Sequence, residues 1–436
     1  MNYKMFFFLF LVISPSIASG AEPAQFTMQE SIDMALRQSA AIHSAGEGMS
    51  AAESRKKEAF TGFLPTLNTF YSYTRLNEAP QVKFQGTGFT PVITGTANNY
   101  NWAVQARQPV FAGGSILTNY QISKLGEDIS RYDKLSTVQD VVLDVKVSYY
   151  NILKAERIRE VAAQSVDQLA SHTGVARNFF EVGLIPKNDL LQSEVQLANG
   201  TQDLVRADNG VELAKSQFNT VLRRDINKPV SVQDILVYEP FVQNIDECLK
   251  TAMENRPEIK SYEVRRAQSG KAVDLARSEY YPTVNVVGTY GRYGDQANVS
   301  GSLFQDAESW SVLAVANWNF WEWGRTKYRV DAGKSRESQS ADALSIVRDR
   351  ITLEVKNSYL QLREAEKRIA VAGQAITQAE ENFRINQERY KEQVATTTEV
   401  IDAQTLLTRA KSDYFNALSD FNIARSRLER SMGVIK

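Results

Sequence analysis

The chain has 436 residues, with 50 Lys and Arg against 51 Asp and Glu and a formal net charge of −1. That balance argues against an electrostatic claim on nucleic acid, whose phosphates demand a cationic surface. The one cysteine, Cys248, excludes an internal disulfide and reads as a small apolar helix residue.

Residues 1–21 read as a secretory signal peptide. Lys4 precedes an unbroken apolar run from Met5 to Ile13, followed by Ser14-Pro15 and small residues through Ala18, Ser19, Gly20 and Ala21. No cysteine follows that run to carry an amino-terminal lipid, and no later stretch reaches the roughly 18 apolar residues of a spanning helix.

Residues 22–223 form a first repeat. Thr27 and Glu30 make a T-x-x-E helix start. A second helix of roughly 20 residues leads to Pro65, where the hydrophobic period changes from helical to two. Over 62–75, Phe63, Leu67, Tyr71 and Tyr73 alternate with Thr66, Asn68, Ser72 and Thr74. Over 99–112, Tyr100, Trp102, Val104, Ala106 and Val110 alternate with Asn101, Gln105 and Arg107. The polar loop between these strands, Leu76–Asn99, suggests no fold of its own and is expected outside the cell. From Gly113-Gly114 a helical pattern runs without proline to Gly183, about 68 residues or about 100 Å. A helix follows from Lys187 to Arg223. Residues 224–243, with Pro229 and Pro240, read as a linker forming an equatorial belt.

Residues 244–436 repeat the plan. Asn244 and Glu247 start a helix, Pro257 starts another, and strands follow at 280–293 and 309–321. There Val284, Val286 and Tyr290 oppose Thr283, Asn285 and Thr289, and Trp310, Val312, Ala314, Ala316, Trp318 and Phe320 oppose Ser311, Asn317 and Asn319. A second long helix runs from Gly324 to about Gln393, and a terminal helix completes the chain. The repetition is visible in the letters. At an offset of about 217, F-L-P-T-L-N-T-F-Y-S-Y-T-R (Phe63 to Arg75) falls on Y-Y-P-T-V-N-V-V-G-T-Y-G-R (Tyr280 to Arg292), a duplicated half rather than a solenoid unit.

Each strand has one apolar, aromatic-rimmed face and one polar face, as a membrane barrel requires, so Asn68, Arg107, Asn285, Asn317 and Asn319 become candidates for a lumen. Four strands cannot close a barrel, and open edges in lipid leave backbone groups unpaired. Assembly is therefore expected, a homotrimer supplying about 12 strands. The second long helix and the terminal helix alternate large and small residues at three-four spacing, the seam of close helix packing. The expected fold class is a mixed α+β membrane protein, a long α-helical coiled-coil barrel joined to a trimer-shared β-barrel.

These residues carry a resemblance. The doubled helix, strand, loop, strand, long-helix plan, the strand ends P-V-F-A-G-G and N-F-W-E-W-G, and E-V-I-D-A-Q-T-L-L followed by A-R-S-R-L-E-R-S-M-G resemble the TolC-like outer-membrane efflux proteins over nearly the whole mature chain. The resemblance implies an outer-membrane homotrimer with a helical tunnel across the periplasm. It also implies two partners, a periplasmic adaptor protein and an inner-membrane transporter, in efflux or type I secretion. Acidic residues in the family's counterpart of E-V-I-D-A line the periplasmic constriction, which carries over to Glu399 and Asp402, and by repeat symmetry to Asp189. Threefold copies would make a carboxylate ring that repels anions and binds cations. A competing role is local, because T-T-T-E (Thr396 to Glu399) is also a capping box. Two departures are visible: Gln393 stands where relatives often have Gly, while the first half keeps Gly183, and Ala395 stands where some relatives have Arg.

Chemistry is poorly signalled. The two histidines, His43 and His172, read as solvated helix residues, with no H-E-x-x-H and no G-x-S-x-G. No cofactor, metal or catalytic residue is expected. The rival reading is a structural or adhesive trimeric coiled-coil surface protein.

Overall fold

A computed structural model describes residues 25–83, 86, 88 and 90–436; the signal-peptide segment lies outside the described residues. The elements run α1 (Met28–Gln38), α2 (Ala40–Thr61), β1 (Thr66–Arg75), β2 (Gln81–Val82), β3 (Val92–Ile93), β4 (Asn98–Ala112), α3 (Ser115–Glu181) and α4 (Lys187–Val221). They continue with α5 (Ile245–Asn255), α6 (Pro257–Ser278), β5 (Thr283–Gly294), β6 (Glu308–Asn317), α7 (Arg325–Lys391) and α8 (Thr397–Ser431). Helices of 11, 22, 67 and 35 residues precede the linker, and helices of 11, 22, 67 and 35 residues follow it.

The helix starts have local causes. Glu30 accepts from the Thr27 amide at 2.9 Å, and Asn244 and Glu247 form a reciprocal capping box. Pro257 occupies the first turn of α6, where its missing N–H costs nothing. Prolines also set the strand starts: β1 and β5 begin immediately after Pro65 and Pro282, three or four residues later than the alternation alone suggests.

The chain divides into two compact units. One contains the segment ending at Gln38, Asp144–Glu239 and Ala365–Ile423. Its core includes the fully buried Tyr149, Phe218 and Phe421. The Tyr149 hydroxyl shares its proton between the carbonyls of Phe26, at 2.9 Å, and Gln233, at 2.7 Å, while Phe26 forms a parallel bridge with Val232 of the linker. Burial pushes the Tyr149 hydroxyl up to about 12, so it stays a donor.

The other unit contains Ser39–Leu143, Pro240–Glu364 and Ala424–Lys436. It holds a four-stranded sheet in the order β1-β4-β5-β6, antiparallel throughout, with β1 and β6 at the edges. Three details differ from the sequence reading. The loop Leu76–Asn99 contains the short hairpin β2–β3, in which Gln81 pairs with Ile93 and Val82 with Val92. Strand β6 stops at Asn317 rather than reaching 321, because its partner Thr283 is preceded by Pro282, which has no N–H to extend the ladder. Third, a bulge between Pro109 and Phe111 moves Val110 out of register and turns Phe111 onto the face that Val110 was expected to occupy.

The same unit buries an ion network that the sequence did not reveal. Arg256 grips Glu354 through both terminal nitrogens at 3.0 and 2.8 Å, and Arg430 reaches Asp140 and Glu258, each at 2.7 Å. Burial raises Glu258, but the Arg430 hydrogen bond and the Arg256 charge outweigh it and hold the carboxyl below its ordinary range.

Candidate functional site

The candidate aperture lies within the first unit, where long helices turn into shorter ones. Helix α3 ends with Gly183 at φ 76 and the Leu184 amide bonded to the Phe179 carbonyl at 2.8 Å. Helix α7 ends with Gln393 at φ 61 and the Val394 amide bonded to the Arg389 carbonyl at 2.9 Å. The two closing bonds have the same spacing, so Gln393 adopts the turn that glycine makes in the first half.

The two helix starts differ. Pro186 precedes α4 and offers no side-chain cap, whereas the Thr396 amide donates to Glu399 Oε2 at 2.7 Å and the Glu399 amide to Thr396 Oγ1 at 3.3 Å. Hydrogen bonds from the Thr396 backbone and then its side chain hold the Glu399 carboxyl below its ordinary range, helped by the charge of Arg389, which lies 3.7 Å away. Glu399 thus caps its own helix. Asp189 is half-buried in the first turn of α4 and accepts from Asn188 at 3.2 Å. Asp402 is exposed and has no hydrogen bond or ion pair among the described residues. Gln192 Nε2 donates to Thr398 Oγ1 at 3.2 Å, which joins the two helix starts and brings the three acidic positions to one end of the unit.

Behind them is a packed core of Phe383, Tyr390, Val400, Ala403 and Leu407, with Val175, Phe179, Ala379 and Ala395 against it. Ala395 therefore contributes a methyl group to packing. His172 corrects the solvated reading: it is only 6% exposed, its ring lies 4.7 Å from that of Tyr390, and burial alone pushes it down to about 4. Its Nε2 is buried without a hydrogen-bond partner. The Tyr390 hydroxyl accepts from Thr397 at 3.2 Å. A signal for His172 exists, since Val161, Ser165, Leu169, His172 and Ala176 are buried at three-four spacing along α3.

The lumen candidates fall on the sheet, with one exception. Asn68 pairs with Gln105, Arg107 Nε donates to Asn285 Oδ1 at 3.3 Å, and Asn317 pairs with Thr283, so these positions share a face by register. The opposite face exposes Leu67, Tyr71, Trp310 and Val312. Asn319 lies beyond the end of β6, off the strand, where it donates to Glu322 at 3.4 Å. With Asn317, Glu279 and Arg325 it lines a cavity of about 500 Å³. Cys248 is buried in α5. Among the described residues no His, Cys, Asp and Glu group has the makings of a metal site, and no helix is long and apolar enough to cross a membrane.

A family model described as outer membrane efflux protein matches residues 31–222 and 248–434. The chain is 18% identical over 423 residues to the outer membrane efflux protein BepC of Brucella suis biovar 1, covering 97% of this chain and 89% of that one. Among solved structures, the outer membrane protein VceC of Vibrio cholerae superposes with a TM-score of 0.80 at 14% identity, covering 93% of this chain and 96% of its own. The CmeC outer membrane channel of Campylobacter jejuni gives 0.79 at 16% identity, covering 93% and 85%.

Proposed function

The chain belongs to the outer membrane efflux protein family, and from that premise we propose that it is the passive exit duct of a tripartite efflux or type I secretion system. It resides in the outer membrane and extends into the periplasm. The observation that carries the finer reading is the sheet: one polar face, one face of exposed Leu67, Tyr71, Trp310 and Val312, and two unpaired edges. Since adjacent strands alternate in direction, β6 of one copy would run antiparallel to β1 of the next, and a ring closes without a parallel pair. Three copies give a barrel of about 12 strands, wide enough for an aqueous lumen. The matching helix lengths support two copies of one ancestral half, 22–223 and 244–436, joined by 224–243. A periplasmic adaptor and an inner-membrane transporter supply the energy and choose the cargo, and no catalysis is assigned to this chain. A strand pair in each half, rather than at one end only, favours the duct over a structural or adhesive coiled-coil surface protein.

Asp189, Glu399 and Asp402 are the proposed aperture. Glu399 keeps its charge but is engaged by the Thr396 cap and lies beside Arg389, so Asp402, which has no partner among the described residues, is the carboxylate freest to face the axis. In single-channel recordings Asp402→Asn, alone or with Glu399→Gln, should weaken divalent-cation block and raise anion permeability, with trimer assembly on native gels unchanged. Unaltered block in the double variant would retire the aperture assignment, and a monomer as the dominant folded form by native mass spectrometry would retire the shared barrel.

A further inference from the structure

The polar face of the sheet is almost free of charge. Its register positions are occupied by hydroxyls, amides and small or apolar side chains, and Arg107 is its one charged group. Arg107 is exposed and has no carboxylate in ion-pair range among the described residues. Among the described residues its side chain bonds only Asn285, 8% exposed, whose Oδ1 accepts from Nε at 3.3 Å. That bond engages Nε, and the two terminal nitrogens have no hydrogen-bond partner among the described residues. On the neighbouring strands, Thr66 and Val287 pair with Arg107 and offer no counter-charge. A guanidinium presents a planar fork of donors that matches the two oxygens of a carboxylate or the edge of a phosphate.

We infer that Arg107 is an oxyanion-recognition point on the wall of the duct, favouring solutes that bear carboxylate or phosphate groups, with Asn285 as its positioning residue. The inference rests on reading the polar face as the lumen. It sets the wall apart from the acidic aperture: one favours cations and the other holds anions, so a solute carrying both charges meets a partner at each. In a trimer three such guanidiniums would share one ring.

Two measurements separate the inference from the reading beneath it. In a Cys248→Ser background, Arg107→Cys and Val312→Cys are treated with a membrane-impermeant, charged thiol reagent in planar bilayers. Reaction at 107 with a drop in conductance, and none at 312, is expected; an unreactive 107 overturns the lumen reading and the inference with it. Block by tripolyphosphate and reversal potentials in a salt gradient are then recorded for wild type, Arg107→Gln, Arg107→Lys and Asn285→Ala. Arg107→Gln should weaken the block about tenfold or more and shift permeability toward cations. Lys should keep the permeability and lose part of the block, and Asn285→Ala should weaken the block without changing permeability. A reactive Arg107→Cys together with wild-type block in Arg107→Gln overturns the inference alone.

Discussion

The turns at Glu181–Asp189 and Lys391–Glu399 reach one backbone shape with opposite chemistry. The first uses Gly183 for its left-handed residue but starts α4 behind Pro186 with no side-chain cap. The second places Gln393 in the left-handed region, which costs a residue with a Cβ about 1–2 kcal/mol, and starts α8 with the Thr396–Glu399 box. Each turn is easy at one end and costly at the other. Strain in the second is balanced by a cap of about 1 kcal/mol, so duplicated elements can keep a shape while exchanging the residues that maintain it.

Tyr390 lies behind both turns, and its removal should disturb the comparison most. Tyr390→Ala empties a site between His172, Phe179 and Val400 and should cost about 3–5 kcal/mol, read as loss of hydrogen-exchange protection in α3 and α7 together. If only α7 loosens, the two turns do not share a core.

Acid should distinguish the turns next. His172 has a folded value of about 4 against an ordinary 6.5, so the unfolded chain binds the proton more readily between them. Its contribution is complete above the ordinary value, falls as pH drops toward the folded one and levels off below it, a total of about 3 kcal/mol. Glu399 has a lowered folded value, so its contribution is present above the ordinary carboxylate range and is lost only as pH falls through that lower value. Because His172 contacts the Tyr390 core behind both turns, exchange at 182–184 and 392–394, corrected for intrinsic rate, should rise at the milder acidity, with a further rise at 392–394 alone as Glu399 protonates, and His172→Phe should abolish the first step. An identical response in both turns would contradict it.

Smaller effects should come from swapping the turn chemistry. A Cβ at Gly183 meets nothing within 4 Å, so the cost of Gly183→Ala is purely backbone, about 1–2 kcal/mol, while Gln393→Gly should stabilise by up to about 1 kcal/mol. Thr396→Ala should cost about 1 kcal/mol by uncapping α8. Thermal unfolding of this set checks the signs, and a destabilising Gln393→Gly would show that the glutamine side chain contributes more than its backbone strain removes.

Much of the fold was legible because period and punctuation agree. Glycine at 113–114 and 324 opens the long helices, and alternation identifies both strand pairs. The errors have local causes. Pro109 disturbs the ladder and a bulge follows, which no count of alternating residues can register, so Val110 and Phe111 exchange roles. Asn319 followed the alternation in letters but lies past the last residue that β5 can pair. The three acids come from the resemblance, and the Glu399 cap is legible in T-T-T-E, three residues apart, whereas the burial of His172 against Tyr390 depends on a neighbour distant in sequence. The Arg256–Glu354 and Arg430–Asp140 pairs are separated by 98 and 290 residues, beyond the reach of any local pattern.

The bond network of Tyr149 has a consequence for the order of events during export. Between Phe26 and Tyr149 lie 123 positions, and a further 84 separate Tyr149 from Gln233, yet all three meet at one hydroxyl. A chain delivered amino-terminal end first must hold Phe26 without its strand partner until the linker has been delivered, while closure of so large a loop slows the encounter. The bridge between Phe26 and Val232 and the two bonds of the Tyr149 hydroxyl can therefore close only after the linker has been delivered.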